Sequence, residues 1–163
     1  MLRISKLTDY ATVILAALAN GPERLRTAAA LAEQTRIAPP TVSKLLKQLQ
    51  RAGLVASTRG LHGGYQLARP PAEISAAAIL DALEGPVALT DCSVGHGNCG
   101  IEGTCRVGRV WQRLNLAIRR SLNDVSLAQL AGLDATLVRL PELEREMKAA
   151  ARGGGRPAAN RHE

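Results

Sequence analysis

Apolar residues recur at helical spacing through most of the first fifty positions of the chain. Residues 7–20 and 27–35 predict two helices of this kind. Pro39 and Pro40 predict the start of a third helix, because proline is tolerated in the first helical turn. Gly53 is its predicted end, since glycine is favoured just past a helix C-terminus. The predicted inward face of the first helix consists of Tyr10, Val13, Ile14, Ala17 and Leu18.

After the third predicted helix the pattern changes from helical spacing to alternation. Residues 54–58 and 65–68 alternate in the manner of strands, and the stretch between them is rich in glycine. Two such runs around a short glycine-containing turn predict a β-hairpin. Helices followed by a hairpin predict a mainly α fold class with a small β-hairpin wing, which is a winged helix-turn-helix.

The second half of the chain predicts further helices around one glycine-rich loop. Ser75 is the predicted cap of a helix over residues 76–83, and a long helix is predicted over residues 106–122. Ser126 and Gln129 resemble a capping box for a short following helix. Another helix is predicted over residues 141–150. The apolar stripe of the long helix consists of Val107, Val110, Trp111, Leu114, Ile118 and Leu122.

These elements predict three regions with different charge. Residues 1–70 form the predicted winged helix-turn-helix and carry a net charge of +7. Residues 71–150 form a predicted helical dimerisation region that includes a cysteine loop over residues 91–105, and residues 151–163 a disordered basic tail. A basic first half indicates contact with a polyanion. Aromatic residues make up only 2% of the chain, so the core is expected to be aliphatic, which favours helices.

The exposed face of the third predicted helix and the tip of the predicted wing carry the candidate DNA contacts. A helix fits the major groove, where hydroxyls and amides read bases and lysines pair with phosphates. On the wing, Arg59 is expected to enter the minor groove, Gly63 permits close backbone approach, and His62 either contacts DNA or fills the turn. The candidate contacts on the helix are Thr41, Ser43, Lys44, Lys47 and Gln48.

All three cysteines lie in the one glycine-rich loop, with six residues between Cys92 and Cys99 and five between Cys99 and Cys105. The apolar stretch over residues 11–19 is too short to span a membrane, and the protein is expected to be cytoplasmic. Thiols in a reducing compartment favour a metal site over disulfides. The clustering favours an iron–sulfur cluster, with zinc or three free thiols as alternatives, because structural zinc sites usually show closely paired cysteines.

An enzyme with a cysteine nucleophile is the other class of protein to consider for these cysteines. Nucleophilic chemistry by Cys99 and His96 would require an oxyanion-hole motif, a phosphate loop or paired carboxylates. The sequence around these two residues contains none of these motifs. Catalysis is therefore not expected.

The chain resembles the iron–sulfur winged-helix transcription regulators, typified by the iron–sulfur cluster regulator and the nitric-oxide-sensing repressor. The resemblance covers residues 1–135 and rests on residues 2–11, on Gly53 to Val55 with residues 59–65, and on the three-cysteine loop. Within the family the chain is most similar to regulators of the sulfur-mobilisation (SUF) operons for cluster assembly. The resemblance implies a homodimer in which the long helix crosses its partner, and it implies that Cys92, Cys99 and Cys105 ligate the cluster.

The fourth cluster ligand stays open between several residues. One branch of the family uses a histidine three residues after the last cysteine, where this chain has Gly108. The other branch uses an aspartate in the first helix of the second subunit, and Asp9 stands at that position. His96 and Asp91 are the alternatives, and the cluster is either 2Fe–2S or 4Fe–4S.

The function that the resemblance implies is control of transcription from a pseudo-palindromic double-stranded operator, such as that of cluster-assembly genes, as a repressor or an activator. A nitric-oxide- or redox-sensing repressor of the same fold is one alternative. A cluster-free winged-helix regulator that responds to thiol oxidation or zinc is the other.

Overall fold

The structure is a computed structural model that describes residues 4–21, 24–60, 62–90 and 107–134. These residues form helices and one two-stranded antiparallel hairpin, which confirms the predicted fold class. A short 3₁₀ turn over Pro71–Glu73 follows the hairpin. In chain order the elements are α1 (Lys6–Ala19), α2 (Ala28–Thr35), α3 (Pro39–Arg51), β1 (Val55–Thr58), β2 (Gly64–Leu67), α4 (Ala76–Glu84), α5 (Gly108–Asp124) and α6 (Leu127–Leu130).

Hydroxyl side chains cap the starts of four helices. Ser5, Thr27, Ser75 and Ser126 each accept a hydrogen bond from the backbone amide three residues later, at 3.1–3.2 Å. Each such bond satisfies one of the amides that a helix start leaves without a partner inside the helix. The caps predicted at Ser75 and Ser126 are confirmed, and Ser126 forms the full capping box with Gln129.

The wing is a tight hairpin that is also tied to the chain before α2. Val55 pairs with Leu67 at one end of the ladder and Thr58 with Gly64 at the other. Outside the hairpin, the backbone of Arg26 exchanges two hydrogen bonds with that of Tyr65, at 2.9 and 2.8 Å. The wing is therefore anchored to the chain before α2 through its second strand.

The buried apolar side chains of the described elements pack into one cluster. Helices α1, α2 and α3 supply most of it, and the hairpin closes one side through Val55 and Leu67. Ile74, Ile79 and Leu127 belong to the same cluster although they follow the wing in sequence. The helix-turn-helix and the start of the predicted dimerisation region thus share a core, and the division at residue 70 stays a prediction.

Two apolar faces differ from what a simple helical pattern indicates. On α1, Val13 was predicted to face inward but is 42% exposed, while Ala11 and Leu15 are fully buried. The prediction for Val13 was wrong because the packing of α4 and α6 on α1 shifts its buried face by about one position. On α5, most of the predicted apolar stripe is exposed, with Val107, Val110, Trp111 and Leu114 between 41% and 66% accessible.

Several predicted features lie outside the described residues. They include the cysteine loop over residues 91–105, the helix over residues 141–150 and the tail over residues 151–163. Within the described part of the chain, no helix has the length and apolar character needed to span a bilayer.

Candidate nucleic-acid interface

The amphipathic character of α3 sets the direction of its candidate DNA contacts. Its aliphatic stripe, which includes Val42, Leu45 and Leu49, is fully buried. The opposite side of the helix consequently faces solvent. Lys44 and Lys47 are exposed on it. The structure therefore offers both lysines to an external partner.

The other three candidates on α3 are half-buried. Thr41 and Ser43 keep part of their surface in solvent. The side-chain oxygen of Gln48 is buried and has no hydrogen-bond partner among the residues that the structure describes. The side-chain amide of Gln48 is therefore less accessible than the exposed ammonium groups of Lys44 and Lys47.

The tip of the wing places two predicted contacts in solvent and explains one glycine. Arg59 and His62 are both exposed. The Gly63 amide donates to the Gly60 carbonyl at 2.9 Å and closes the turn. A Cβ atom on Gly63 would lie 2.3 Å from the Thr58 carbonyl oxygen, so a side chain at position 63 does not fit. The wing thus needs glycine to present Arg59 on a tight turn.

A polar groove runs between α3, the wing and the start of α2. Gln50 bridges two of these elements, because its Nε2 donates to Ser57 Oγ at 2.8 Å. The lining residues are Thr27, Ala28, Lys47, Gln50, Ser57, Thr58, Arg59, Gly63, Gly64 and Tyr65.

The groove brings together three of the eight predicted DNA contacts, namely Lys47, Arg59 and Gly63. The remaining ones lie outside its lining. Hydroxyl and amide groups from Thr27, Gln50 and the strand β1 complete the surface. These residues were not among the contacts predicted from the sequence. Ser57 and Thr58 are the two polar, exposed residues at the end of β1, and their polar character was the signal for them. The described lining thus offers two cations, Lys47 and Arg59, and several hydrogen-bond donors, and it contains no carboxylate. Phosphate oxygens bind to groups of this kind.

The candidate cluster ligand within the described residues is Asp9. It is exposed on the first turn of α1, beside a shallow depression that Ile4, Ser5 and Lys6 also line. The other candidate ligands, Cys92, Cys99, Cys105, His96 and Asp91, lie outside the described residues. In the part of the chain that the structure covers, no three metal-binding side chains converge.

The first turn of α1 is held by a carboxylate from α4. Glu84 Oε1 accepts from the Ser5 amide at 3.0 Å and from the Thr8 hydroxyl at 2.5 Å. These hydrogen bonds, foremost the one from Thr8, hold the pKa of the Glu84 carboxyl below its ordinary value. The first turn of α1, next to Asp9, is thus linked to the end of the helix that precedes the cysteine segment.

Comparisons with known proteins give the family. The model of the Rrf2 family, an iron-dependent transcriptional regulator, matches residues 4–132. The chain belongs to the Rrf2 family. Protein rrf2 of Nitratidesulfovibrio vulgaris is 30% identical to it over 130 residues, which cover 79% of this chain and 87% of that protein.

Solved structures share the fold of this Rrf2-family chain. CymR, the global cysteine regulator of B. subtilis, is 29% identical with a TM-score of 0.65, and the match covers 82% of this chain and 99% of CymR. IscR of T. potens is 26% identical with a TM-score of 0.61, and the match covers 88% of this chain and 96% of IscR. The Rrf2-family chain is therefore a winged-helix, DNA-binding transcriptional regulator rather than an enzyme, as the sequence indicated.

In this Rrf2-family regulator the long helix α5 is fastened to the winged-helix core by polar contacts. Arg119 donates to both carboxylate oxygens of Asp81 on α4, at 3.1 and 2.6 Å. Hydrogen bonds to Asp81, and then its charge, raise the pKa of Arg119. Asn115 Oδ1 is buried on the same side and accepts from the Leu89 amide at 3.3 Å. Among the described residues, α5 thus contacts α4 and the chain after it through Asn115 and Arg119, while Val110, Trp111 and Leu114 of its apolar stripe are exposed.

Proposed function

We propose that this Rrf2-family regulator binds a pseudo-palindromic double-stranded DNA operator as a homodimer and adjusts its DNA affinity through an iron–sulfur cluster. The observation that carries the DNA-binding part is the groove between α3 and the wing. That groove combines Lys47 and Arg59 with hydroxyl and amide donors. Phosphate contacts of this kind position a protein on the duplex, and base contacts from the neighbouring helix then select the sequence.

Each candidate contact has an expected role. Lys44 and Lys47 pair with phosphates, while Thr41 and Ser43 contact base edges in the major groove. Gln48 is expected to contact a base edge through its half-buried side-chain amide. From the wing, Arg59 enters the minor groove, His62 contacts the backbone, and Gly63 keeps the turn close to the duplex.

The exposed apolar stripe of α5 supports a second copy of the chain as the partner. Val110, Trp111 and Leu114 lie within about one turn of each other on α5 and are 66%, 41% and 45% exposed. Exposed neighbouring side chains of this size mark a surface that binds another protein. A two-fold dimer through this stripe presents two copies of α3 to one operator, which matches the symmetry of a palindromic site.

The donor set supports an iron–sulfur cluster. Cys92, Cys99 and Cys105 would supply thiolates, the ligands that such clusters use. Asp9 of the second protomer would supply the fourth donor, since its carboxylate is exposed on α1. His96 and Asp91 are the other candidates for that position. Gain, loss or oxidation of the bound cluster would report the iron–sulfur supply of the cell. Genes for SUF-type cluster assembly are the expected targets.

Similarity to CymR keeps one alternative open, while the cluster sensor stays the favoured candidate. The B. subtilis protein is described as a global cysteine regulator, and it is 29% identical to this chain. A cluster-free regulator that responds through its thiols, or through zinc, is therefore the second candidate function. A nitric-oxide-sensing repressor shares the cluster of the first candidate and differs only in its signal.

Anaerobic purification followed by absorption spectroscopy and iron, sulfide and zinc analysis tests the cluster. Near-equal iron and sulfide with a brown colour would support the sensor, and Asp9→Ala and His96→Ala would then find the fourth ligand. Colourless protein that fails chemical reconstitution would overturn the cluster. Stoichiometric zinc, or thiol-dependent DNA binding without metal, would support the alternative.

DNA binding is tested on an operator selected from random duplexes. Lys47→Ala should weaken binding to all sequences and lower the salt slope by about one, because one phosphate contact is lost. Arg59→Ala should cost about 1–3 kcal/mol and change the sequence preference. Arg113→Ala on α5 is the matched control, since that arginine is exposed outside the groove. Unchanged DNA affinity of both groove variants would show that the groove does not contact DNA.

A charged residue in the stripe tests the dimer. Leu114→Glu should give a monomer in sedimentation equilibrium while circular dichroism stays unchanged, because Leu114 is exposed on its own chain. Arg120→Glu, at an exposed position away from the stripe, is the control. A Leu114→Glu protein that stays dimeric would place the interface elsewhere.

A further inference from the structure

Glu84 completes a helix cap that the local sequence leaves unfinished. In a capping box, a Glu or Gln three residues after the cap reaches back to the amide of the capping residue. On α1 that position holds Thr8, whose hydroxyl is too short for the role. Glu84 supplies the missing carboxylate from α4 and accepts from both the Ser5 amide and the Thr8 hydroxyl.

The cap bears directly on Asp9. The Asp9 amide donates to the Ser5 carbonyl at 3.0 Å, which is the first backbone hydrogen bond of α1. The conformation of Ser5 therefore determines where the first turn begins. A carboxylate that holds the Ser5 amide consequently also fixes the backbone position of Asp9.

A second carboxylate on the same turn of α4 joins a different element. Asp81 lies three residues before Glu84 and binds Arg119 of α5 through both of its oxygens. Bidentate pairs of this kind fix orientation as well as distance. One turn of α4 thus connects to the start of α1 on one side and to α5 on the other.

The cysteine segment is joined covalently to the same two elements. It follows α4, which ends at Glu84, and it precedes α5, which begins at Gly108. A change of state in that segment would therefore reach the described structure at the end of α4 and at the start of α5. Since Glu84 is the last residue of α4, it is the described side chain best placed to pass such a change to α1.

We propose that Glu84 is a positioning residue that fixes the first turn of α1, and with it Asp9, so that α4 couples the cysteine segment to the DNA-binding core. Asp81 keeps α5 in register with α4 during this coupling. A ligand shifts DNA affinity only by its differential affinity for two arrangements, and the Glu84 contacts are a set that one arrangement keeps and the other loses. The inference rests on the proposed function for its signal and on the hydrogen bonds for its mechanism.

Hydrogen exchange on the cluster-free protein tests the positioning. Glu84→Ala should speed exchange of the Thr8 and Asp9 amides about fivefold, the equivalent of losing one helix cap. Glu84→Gln keeps an acceptor oxygen and should stay within about twofold of the wild type. Glu73→Ala, at another exposed glutamate, is the control. Unchanged exchange in Glu84→Ala would overturn the positioning role.

The ratio of DNA affinities with and without the cluster tests the coupling. Glu84→Ala should bring this ratio toward one while the affinity of the cluster-free protein stays unchanged, a result that a purely structural role would not produce. A ratio equal to that of the wild type, together with faster exchange, would overturn the coupling. A wild-type protein that takes up no iron and sulfide would instead overturn the proposed function, and the exchange data would then decide the role of Glu84 alone.

Discussion

Two adjacent glycines at the tip of the wing are each required by a close backbone approach. A Cβ atom on Gly63 would meet the Thr58 carbonyl oxygen at 2.3 Å. One on Gly64 would lie 2.9–3.1 Å from the backbone of Arg26, where the extra bridge anchors the hairpin. Real Cβ atoms do not approach backbone this closely, so any side chain at these positions forces the wing to move.

Replacing Gly63 with alanine is therefore expected to distort the wing. The change should lower the free energy of unfolding by about 1–3 kcal/mol, the range for overpacked sites. It should also weaken operator binding, because Arg59 is displaced. Urea unfolding and a DNA-binding titration measure the two effects. Gly21→Ala is the control, since a Cβ atom there has its nearest neighbour at 4.0 Å, and equal behaviour of the two variants would contradict the steric account.

The lowered pKa of Glu84 gives a pH dependence with a definite sign. A carboxyl whose pKa is lower in the folded state stabilises the fold above its unfolded pKa, and this contribution is lost as the pH falls through the lowered value. The wild type should thus exceed Glu84→Gln in stability at neutral pH, and the two should converge in acid. Since the carboxylate is exposed, water screens the effect and the difference is small. Urea unfolding from neutral to acidic pH measures the difference in stability between the two proteins. A difference that does not change with pH would contradict this prediction.

The hydroxyl caps of the helices differ in how far along the chain their partners lie. Ser75 and Ser126 cap their helices through residues three positions away, so a short stretch of sequence contains the whole interaction. The cap of α1 combines such a local bond from Thr8 to Ser5 with a contact to Glu84, which is 79 positions from Ser5. A pattern search predicts the first kind and cannot find the second, because only the packing of α4 on α1 brings the two together.

A bidentate ion pair between Asp81 and Arg119 joins α4 to α5. A double-mutant cycle with Asp81→Asn and Arg119→Gln should give a coupling energy of about 0.5–1 kcal/mol, near the top of the range for exposed pairs because the geometry is bidentate. Arg119→Lys should recover less than half of it, since an ammonium cannot contact both oxygens in the same plane. Arg113→Gln serves as the control. Additive effects in urea unfolding would show that the pair contributes nothing.

Helix α6 shows how the whole molecule is assembled. The chain leaves the winged-helix region through α4, passes along α5, and returns so that Leu127 is fully buried among the residues of the core. The Leu127 amide also donates to the Ile74 carbonyl at 2.7 Å. The C-terminal end of α5 is consequently tied to the core through α6.

Truncating Leu127 is expected to destabilise the whole described fold. Leu127→Ala should cost about 2–5 kcal/mol, because a fully buried leucine leaves a cavity. Leu130→Ala, three residues later but 45% exposed, should change stability by less than about 0.5 kcal/mol. Urea unfolding followed by circular dichroism and by Trp111 fluorescence should give one coincident transition. Separate transitions would mean that α5 unfolds apart from the core.

The sequence by itself determined most of the elements and the type of fold. Proline at the start of α3, glycine after its end and serine caps act within a few residues, and the leucine stripe of α3 makes its opposite face the exposed one. Composition and charge pointed to a polyanion, and the clustered cysteines to a metal group. These are local or additive properties, so they can be predicted without knowing which segments meet.

Only the tertiary structure decided which faces are covered and which distant residues touch. The apolar stripe of α5 was predictable from its spacing, yet only the structure shows that Val110, Trp111 and Leu114 are exposed while Asn115 and Arg119 contact other described residues. Val13 is exposed for a related reason, since the neighbours of α1 determine its buried face. Glu84 meets Ser5, and Gln50 meets Ser57, only because folding brings separate elements together. Burial and long-range hydrogen bonds depend on the arrangement of all elements at once, which no local pattern contains.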